Sequence, residues 1–178
     1  NHRSTNEALT KLTYCYYITD QPELAIPILQ QMLERHTERF GRQYKVSQTL
    51  RAQLAHSYAK AHRYSDALAE FESLNADMNE VPADLRRALR ITNLQLGNHA
   101  RFYELARVDA EGLAKRDRKQ AIRFLRDTAR DASLLSESEI AEDLLLLAFQ
   151  TASSPTSESG FLVSLDRARL LLSAGRFS

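Results

Sequence analysis

The stretch from Leu54 to Phe71, LAHSYAKAHRYSDALAEF, decides the fold. It contains the pattern Leu-Ala-x-x-Tyr, followed after a short break by Tyr-x-x-Ala-x-x-x-Phe. Two helices that pack as a hairpin need small residues where their backbones touch and large residues where their side chains interlock. The stretch therefore predicts a helical hairpin, with Ala55 and Ala67 at the close approach.

This pattern resembles the tetratricopeptide repeat, in which a small residue and Tyr on one helix face Ala-x-x-x-Phe on the next. A second copy of the latter element, Ala25-x-x-x-Leu29, begins 42 residues before Ala67. That spacing, with Phe40-Gly41 between the copies, resembles the kinesin-light-chain type of repeat. The resemblance implies an all-α, right-handed solenoid of antiparallel helix pairs with about nine helices, because one pair cannot bury its apolar face alone. A second resemblance is to the helical-repeat sensor regions of bacterial transcription regulators.

Helical periodicity and turn residues divide the chain into four helix pairs and a partial fifth. The predicted repeats span about 5–40, 45–76, 83–114, 117–152 and, for the partial one, 159–178, within which the predicted helix is Leu165–Ala174. Ser136-x-x-Glu139 matches a capping box at the start of a helix. We expect one helical-repeat domain over residues 1–178. Because the fifth repeat stops after its first helix, we also expect a longer native chain, and the alternative is that this last helix is a solvating cap.

Composition and the lack of catalytic motifs favour a globular protein that catalyses no reaction. The chain has 178 residues, of which 43% are hydrophobic and 26% charged, and only nine are Gly or Pro. Its single Cys15 excludes an internal disulfide, and His56 and His62 do not share a helical face for a metal. The sequence has no phosphate-cradling loop, nucleophile elbow or HExxH motif. We therefore predict a non-enzymatic, cytoplasmic protein with no cofactor, no metal and no membrane partner.

Charge is unevenly distributed along the chain. Residues 84–130 contain twelve Lys or Arg against six Asp or Glu, whereas residues 131–166 contain seven acidic residues and no Lys or Arg. The basic segment raises the hypothesis of nucleic-acid binding. Aromatic residues are sparse there and the acidic segment follows at once, so direct contact with nucleic acid is disfavoured.

The resemblance also implies a binding groove, because the first helix of each pair lines the groove in such repeats. Placing Ala67 and Ala141 at the small position of their helices predicts these partner-binding residues: Tyr14, Tyr17, Gln53, His56, Lys60, Lys119, Arg123, Arg126 and Arg130. The three arginines share one helical face and suit a carboxylate. The alternative for them is a solvated face paired with Asp127 and Asp131, and for the two tyrosines it is core packing.

These observations predict a regulatory scaffold or adaptor, a module for protein–protein interaction. Its groove would bind a protein or peptide segment with an apolar anchor and acidic residues. The alternative is an effector- or partner-sensing region of a transcription regulator, and the weaker alternative is nucleic-acid binding through the basic segment.

Overall fold

A computed structural model describes residues 2–74, 81–152 and 157–173, with side chains from residue 7 onward. All regular secondary structure in these ranges is α-helical. The helices are α1 (His2–Ile18), α2 (Pro22–Phe40), α3 (Lys45–Lys60), α4 (Tyr64–Glu72), α5 (Ala83–Gln95), α6 (His99–Ala114), α7 (Arg118–Leu134), α8 (Ser138–Thr151) and α9 (Glu158–Ser173). This confirms the predicted all-α helical repeat, and most helix ends lie within one or two residues of the predicted positions.

The two larger differences lie at α4 and α9. Helix α4 ends at Glu72, and the predicted end at Ala76 lies outside the described residues. Helix α9 begins at Glu158 rather than at Leu165. The backbone N–H of Gly160 donates to the Ser157 hydroxyl at 3.2 Å, which satisfies one of the free amides at the start of the helix.

The first helix of each pair ends in the same way, with one residue in the left-handed region. These residues are Asp20, His62, Gly97 and Ser136, with φ between 54° and 71°. After α7, the N–H of Ser136 donates to the carbonyl of Ser133, and the N–H of Glu137 donates to the carbonyl of Ala132. This is the double closure of a Schellman motif.

The predicted capping box at Ser136 is therefore wrong. Ser136 belongs to the end of α7, and the residue that precedes α8 is Glu137, whose side chain makes no capping bond. A residue with positive φ cannot also adopt the extended conformation that an N-cap needs. The Ser-x-x-Glu pattern therefore begins one residue before the N-cap of α8, because Ser136 is part of the turn that joins the two helices.

The small residues that the sequence singled out are buried in the core. Ala25, Ala67 and Ala141 each occupy the fourth position of their helix and are buried. In α6 the order of sizes is reversed, because Phe102 stands at the fourth position and Ala106 four residues later, both fully buried. A large and a small side chain at the fourth and eighth positions of the helix have the same total volume in either order, so both orders fill the core equally well.

The chain forms two compact units, Asn1–Leu96 (unit 1) and Gly97–Ser178 (unit 2). Within unit 1, α2 packs on α1 and α3, α4 packs on α3 and α5, and α3 also contacts α5. Within unit 2, α7 packs on α6, α8 and α9, and α8 packs on α9. The prediction of one domain over the whole chain stays a prediction.

Candidate functional site

In unit 1, three of the predicted partner-binding residues contact one another. The rings of Tyr17 on α1 and His56 on α3 meet edge to face, with centroids 5.2 Å apart. The ammonium group of Lys60 lies 4.6 Å from the centroid of the Tyr17 ring. We call Tyr17, His56 and Lys60 the tyrosine cluster. The repeat resemblance, together with helical spacing, thus identified side chains from two helices that form one surface.

The charged and titratable groups of the tyrosine cluster already have partners. Lys60 Nζ donates to Asp20 Oδ1 at 2.8 Å, and the contact lowers the pKa of Asp20 below its ordinary value. His56 Nδ1 lies 3.9 Å from Asp84 Oδ2 on α5. Burial lowers the pKa of His56 and outweighs the opposing effect of Asp84, because its side chain is only 13% exposed. The cluster therefore presents a neutral imidazole and a lysine whose charge is largely balanced.

The remaining predicted residues of unit 1 lie apart from these contacts. Tyr14 is 63% exposed on α1, which excludes core packing for it, and Gln53 is exposed on α3. Tyr17 is 38% exposed and therefore also outside the core. Two hydroxyl-bearing rings and an amide at the surface give unit 1 contact area with little net charge.

In unit 2, an open cleft of about 630 Å³ lies between α7, α8 and α9. We call it the arginine cleft. Its lining comprises Arg126, Asp127, Ala129, Arg130, Ser133, Leu134, Ala141, Leu145, Asp166, Arg169, Leu170 and Ser173. Leu145 and Leu170 are nearly fully buried, whereas Leu134 is 76% exposed. The cleft thus combines a buried apolar floor, an exposed apolar side chain and three guanidinium groups.

Arg126 is bound inside the protein by a residue that neither hypothesis named. Its Nε donates to Oδ2 of Asp166 on α9 at 2.5 Å, and both side chains are 27% exposed. The expectation of local pairing with Asp127 or Asp131 is thus wrong for Arg126. The partner of Arg126 lies on α9, the first helix of the following repeat, because α7 and α9 are in contact and bring the two side chains together.

The other basic residues of the predicted stripe differ in position. Arg130 is exposed, lines the arginine cleft and forms no ion pair with another described residue. Arg123 and Lys119 are exposed on the same helix but do not line the cleft. Arg169, which the sequence did not single out, lines the cleft from α9 with its side chain 70% exposed.

The acidic partners were missed, although the chain carries a signal for them. Lys60 and Asp20 are 40 residues apart, and so are Arg126 and Asp166. This separation is close to one repeat, so opposite charges at that spacing lie on, or directly after, neighbouring first helices. A search for opposite charges one repeat apart could have identified both pairs.

No known protein family matches this chain, and no curated protein sequence matches it. Solved structures do. The fold is a tetratricopeptide-like helical repeat. Two crystal structures of nearly identical TPR-like repeats, from a Podosopora anserina chain assigned as a kinesin light chain, match 99% of this chain. In the first, the alignment covers 90% of the solved chain at 17% identity with a TM-score of 0.68. In the second, a single-substitution variant, it covers 89% of the solved chain at 16% identity with a TM-score of 0.66.

The described residues offer no cluster of metal ligands. Among them, no group of three or more His, Cys, Asp or Glu is arranged to hold a metal ion. No helix in the described part of the chain has the length and apolar character needed to cross a membrane.

Proposed function

We propose that this chain is a protein–protein interaction module and that its second unit binds a peptide or protein segment in the arginine cleft. The observation that carries the proposal is the lining of that cleft, in which Arg126, Arg130 and Arg169 occur together with the buried Leu145 and Leu170. Helical repeats of this fold are scaffolds generally used for protein–protein interaction. The cleft supplies the two contacts that such binding needs, apolar area and directional charge.

The lining indicates the chemistry of the partner. It contains three arginines against Asp127 and Asp166, so one positive charge is not balanced within the cleft. Guanidinium groups bind carboxylates with two parallel hydrogen bonds, and an apolar floor accepts a leucine-like side chain. We therefore expect a segment with one carboxylate next to an apolar anchor. This narrows the predicted basic stripe to Arg126 and Arg130 and adds Arg169.

The tyrosine cluster of unit 1 is a weaker candidate for the main contact. Lys60 is already covered by Asp20 and by the Tyr17 ring, so a ligand would gain little from its charge. Tyr14, Gln53 and the edge of Tyr17 would contribute contact area only. The proposal gives them the role of a secondary surface.

The test is a selection of peptides from a random displayed library on the immobilised chain, followed by fluorescence anisotropy with the selected peptides. Selected sequences should place Asp, Glu or a free carboxyl terminus beside Leu, Ile or Phe. Arg130→Glu should weaken their binding by about thirtyfold or more, because losing a desolvated charge contact costs roughly 2–5 kcal/mol.

The matched control is Arg123→Glu, an equal charge reversal on the same helix but outside the cleft. It should change the dissociation constant by less than about threefold, since an exposed charge at the rim acts mainly through long-range attraction. Equal losses from both variants would mean that general charge, and not the cleft, attracts the peptide. Selected peptides without a carboxylate would also contradict the proposal.

A further inference from the structure

Asp166 lies inside the arginine cleft, between two of its three arginines. Its Oδ2 accepts from Arg126 at 2.5 Å, and its Oδ1 lies 3.9 Å from Nη1 of Arg169. The carboxylate is half-buried, and the same residue lines the cleft. A carboxylate bound by one guanidinium group, with a second one nearby and an apolar floor beside it, is the arrangement that the proposed ligand would itself adopt.

The bond also joins two helices. Arg126 is on α7 and Asp166 is on α9, so the pair holds the surface of α9 against α7. A second pair, Arg167 to Glu142 at 2.9 Å, ties α9 to α8 independently. Opening the first pair would therefore free Arg126 and loosen α9 on one side, while α9 stays attached through the other.

We infer that Asp166 occupies the place of the ligand carboxylate at Arg126, so that a ligand binds by replacing it. This inference rests on the proposed function. Arg126 is available only in the fraction of molecules in which Asp166 has moved away, and the apparent affinity is lowered by that fraction. The cleft therefore carries an internal competitor that sets a threshold for its partner. The opposite role, in which Asp166 orients Arg126 for the ligand, predicts the opposite effect of its removal.

The probe is isocaproate, a branched apolar chain with one carboxylate, and isocaproamide is its uncharged analogue. Binding is followed by NMR through the Nε–H signals of Arg126, Arg130 and Arg169 as the probe is added. Asp166→Asn should tighten isocaproate binding by about tenfold, as expected if Arg126 is free in about a tenth of wild-type molecules. Isocaproamide should bind both proteins equally weakly.

Asp127→Asn is the matched control, because it removes an equal negative charge from the same cleft without freeing Arg126. A gain in Asp166→Asn well above the gain in Asp127→Asn supports the internal competitor. Equal gains in the two variants, or weaker binding in Asp166→Asn, would overturn it and leave the proposed function intact. If isocaproate moves none of the three arginine signals in any protein, the cleft binds no carboxylate, and both proposals fail.

A second measurement needs no variant and covers a failure of Asp166→Asn to fold. In the wild-type chain, saturating isocaproate should speed amide hydrogen exchange in α9, because the Arg126–Asp166 bond opens when the probe binds. Slower exchange in α9 with the probe bound would mean that the ligand adds to the bond instead of replacing it, and would overturn the inference.

Discussion

The tyrosine cluster of unit 1 and the arginine cleft of unit 2 are built on the same kind of helix but hold their charges differently. In unit 1, Lys60 is covered by a carboxylate and by an aromatic ring. In unit 2, Arg126 is bound by Asp166 while Arg130 has no ion pair with another described residue and faces an open cleft. Basic residues on the first helices of different repeats thus differ in how much charge remains available to a partner.

The comparison teaches that facing a groove does not by itself make a residue a binding residue. What matters is whether the neighbouring repeat has already supplied a counter-charge and whether apolar area lies beside it. In unit 1 Asp20 supplies the counter-charge for Lys60, whereas the arginine cleft combines the buried Leu145 and Leu170 with Arg130, which has no ion pair with another described residue. Four predictions test this contrast, from the largest expected effect to the smallest.

Removing a core side chain should destabilise either unit strongly. Leu54 in unit 1 and Leu125 in unit 2 are both almost fully buried. Leu54→Ala and Leu125→Ala should each lower the unfolding free energy of their unit by about 2–5 kcal/mol, through lost burial and the cavity left behind. Native-state amide hydrogen exchange in α3 and in α7 measures each effect. Leu134→Ala, at an exposed position of α7, should cost less than about 0.5 kcal/mol. A large loss from that control would mean that Leu134 packs in a core.

Breaking one ion pair in each unit should change the stability of the two units by different amounts. Arg126→Gln should lower the stability of unit 2 by about 1–2 kcal/mol, because it leaves Asp166 charged, half-buried and without its closest partner. Asp20→Asn removes the corresponding pair of unit 1, but Asp20 is 81% exposed there, so the melting temperature should stay unchanged. Thermal unfolding by circular dichroism measures both. Equal losses would show that exposure does not distinguish the pairs.

Replacing a residue in the left-handed region by glycine should stabilise both units. Ser136→Gly should stabilise unit 2 by about 0.5–1 kcal/mol, since glycine adopts positive φ without the clash of a side chain. The gain from His62→Gly in unit 1 should be smaller, because His62 Nδ1 contacts the Tyr64 hydroxyl at 2.7 Å and that contact is lost. Gly97→Ala should destabilise the protein, because alanine at this positive φ is strained. Urea titrations give the differences, and a destabilised Ser136→Gly chain would mean that the serine side chain holds the turn.

The smallest effect concerns pH and unit 1. Burial lowers the pKa of His56 below 6.5, and Lys60 lowers it further while Asp84 raises it. As pH falls, the unfolded chain takes up the proton first, so stability is constant above about pH 6.5 and decreases as pH drops through the folded-state pKa. An NMR titration of the His56 ring should give a midpoint below the ordinary value. Asp84→Asn should move the midpoint down and Lys60→Gln should move it up, and a wild-type midpoint at or above 6.5 would contradict the burial of the ring.

Sequence reasoning identified the surface of unit 1 better than that of unit 2. Tyr17, His56 and Lys60 follow from helical spacing combined with the repeat resemblance, and they do contact one another. The stripe at Arg123, Arg126 and Arg130 follows from the same spacing, but the cleft takes only its last two members. Two further charged residues of the cleft, Asp166 and Arg169, come from α9, which spacing along α7 cannot reveal. The assignment of any of these residues to partner binding stays a proposal.

The sequence by itself determined the helices, their pairing and the buried small residues of the second helices. These features depend on patterns within a few turns of one chain segment, such as Ala67 four residues before Phe71, and local periodicity records them directly. Only the tertiary structure decided which charges are neutralised, because Arg126 and Asp166 meet across 40 residues of chain. It also decided that Ser136 closes α7 instead of starting α8, since the path of the chain between two packed helices fixes that residue's φ. Pairing across repeats and turn geometry both depend on where neighbouring helices lie, and a pattern within one helix does not contain that position.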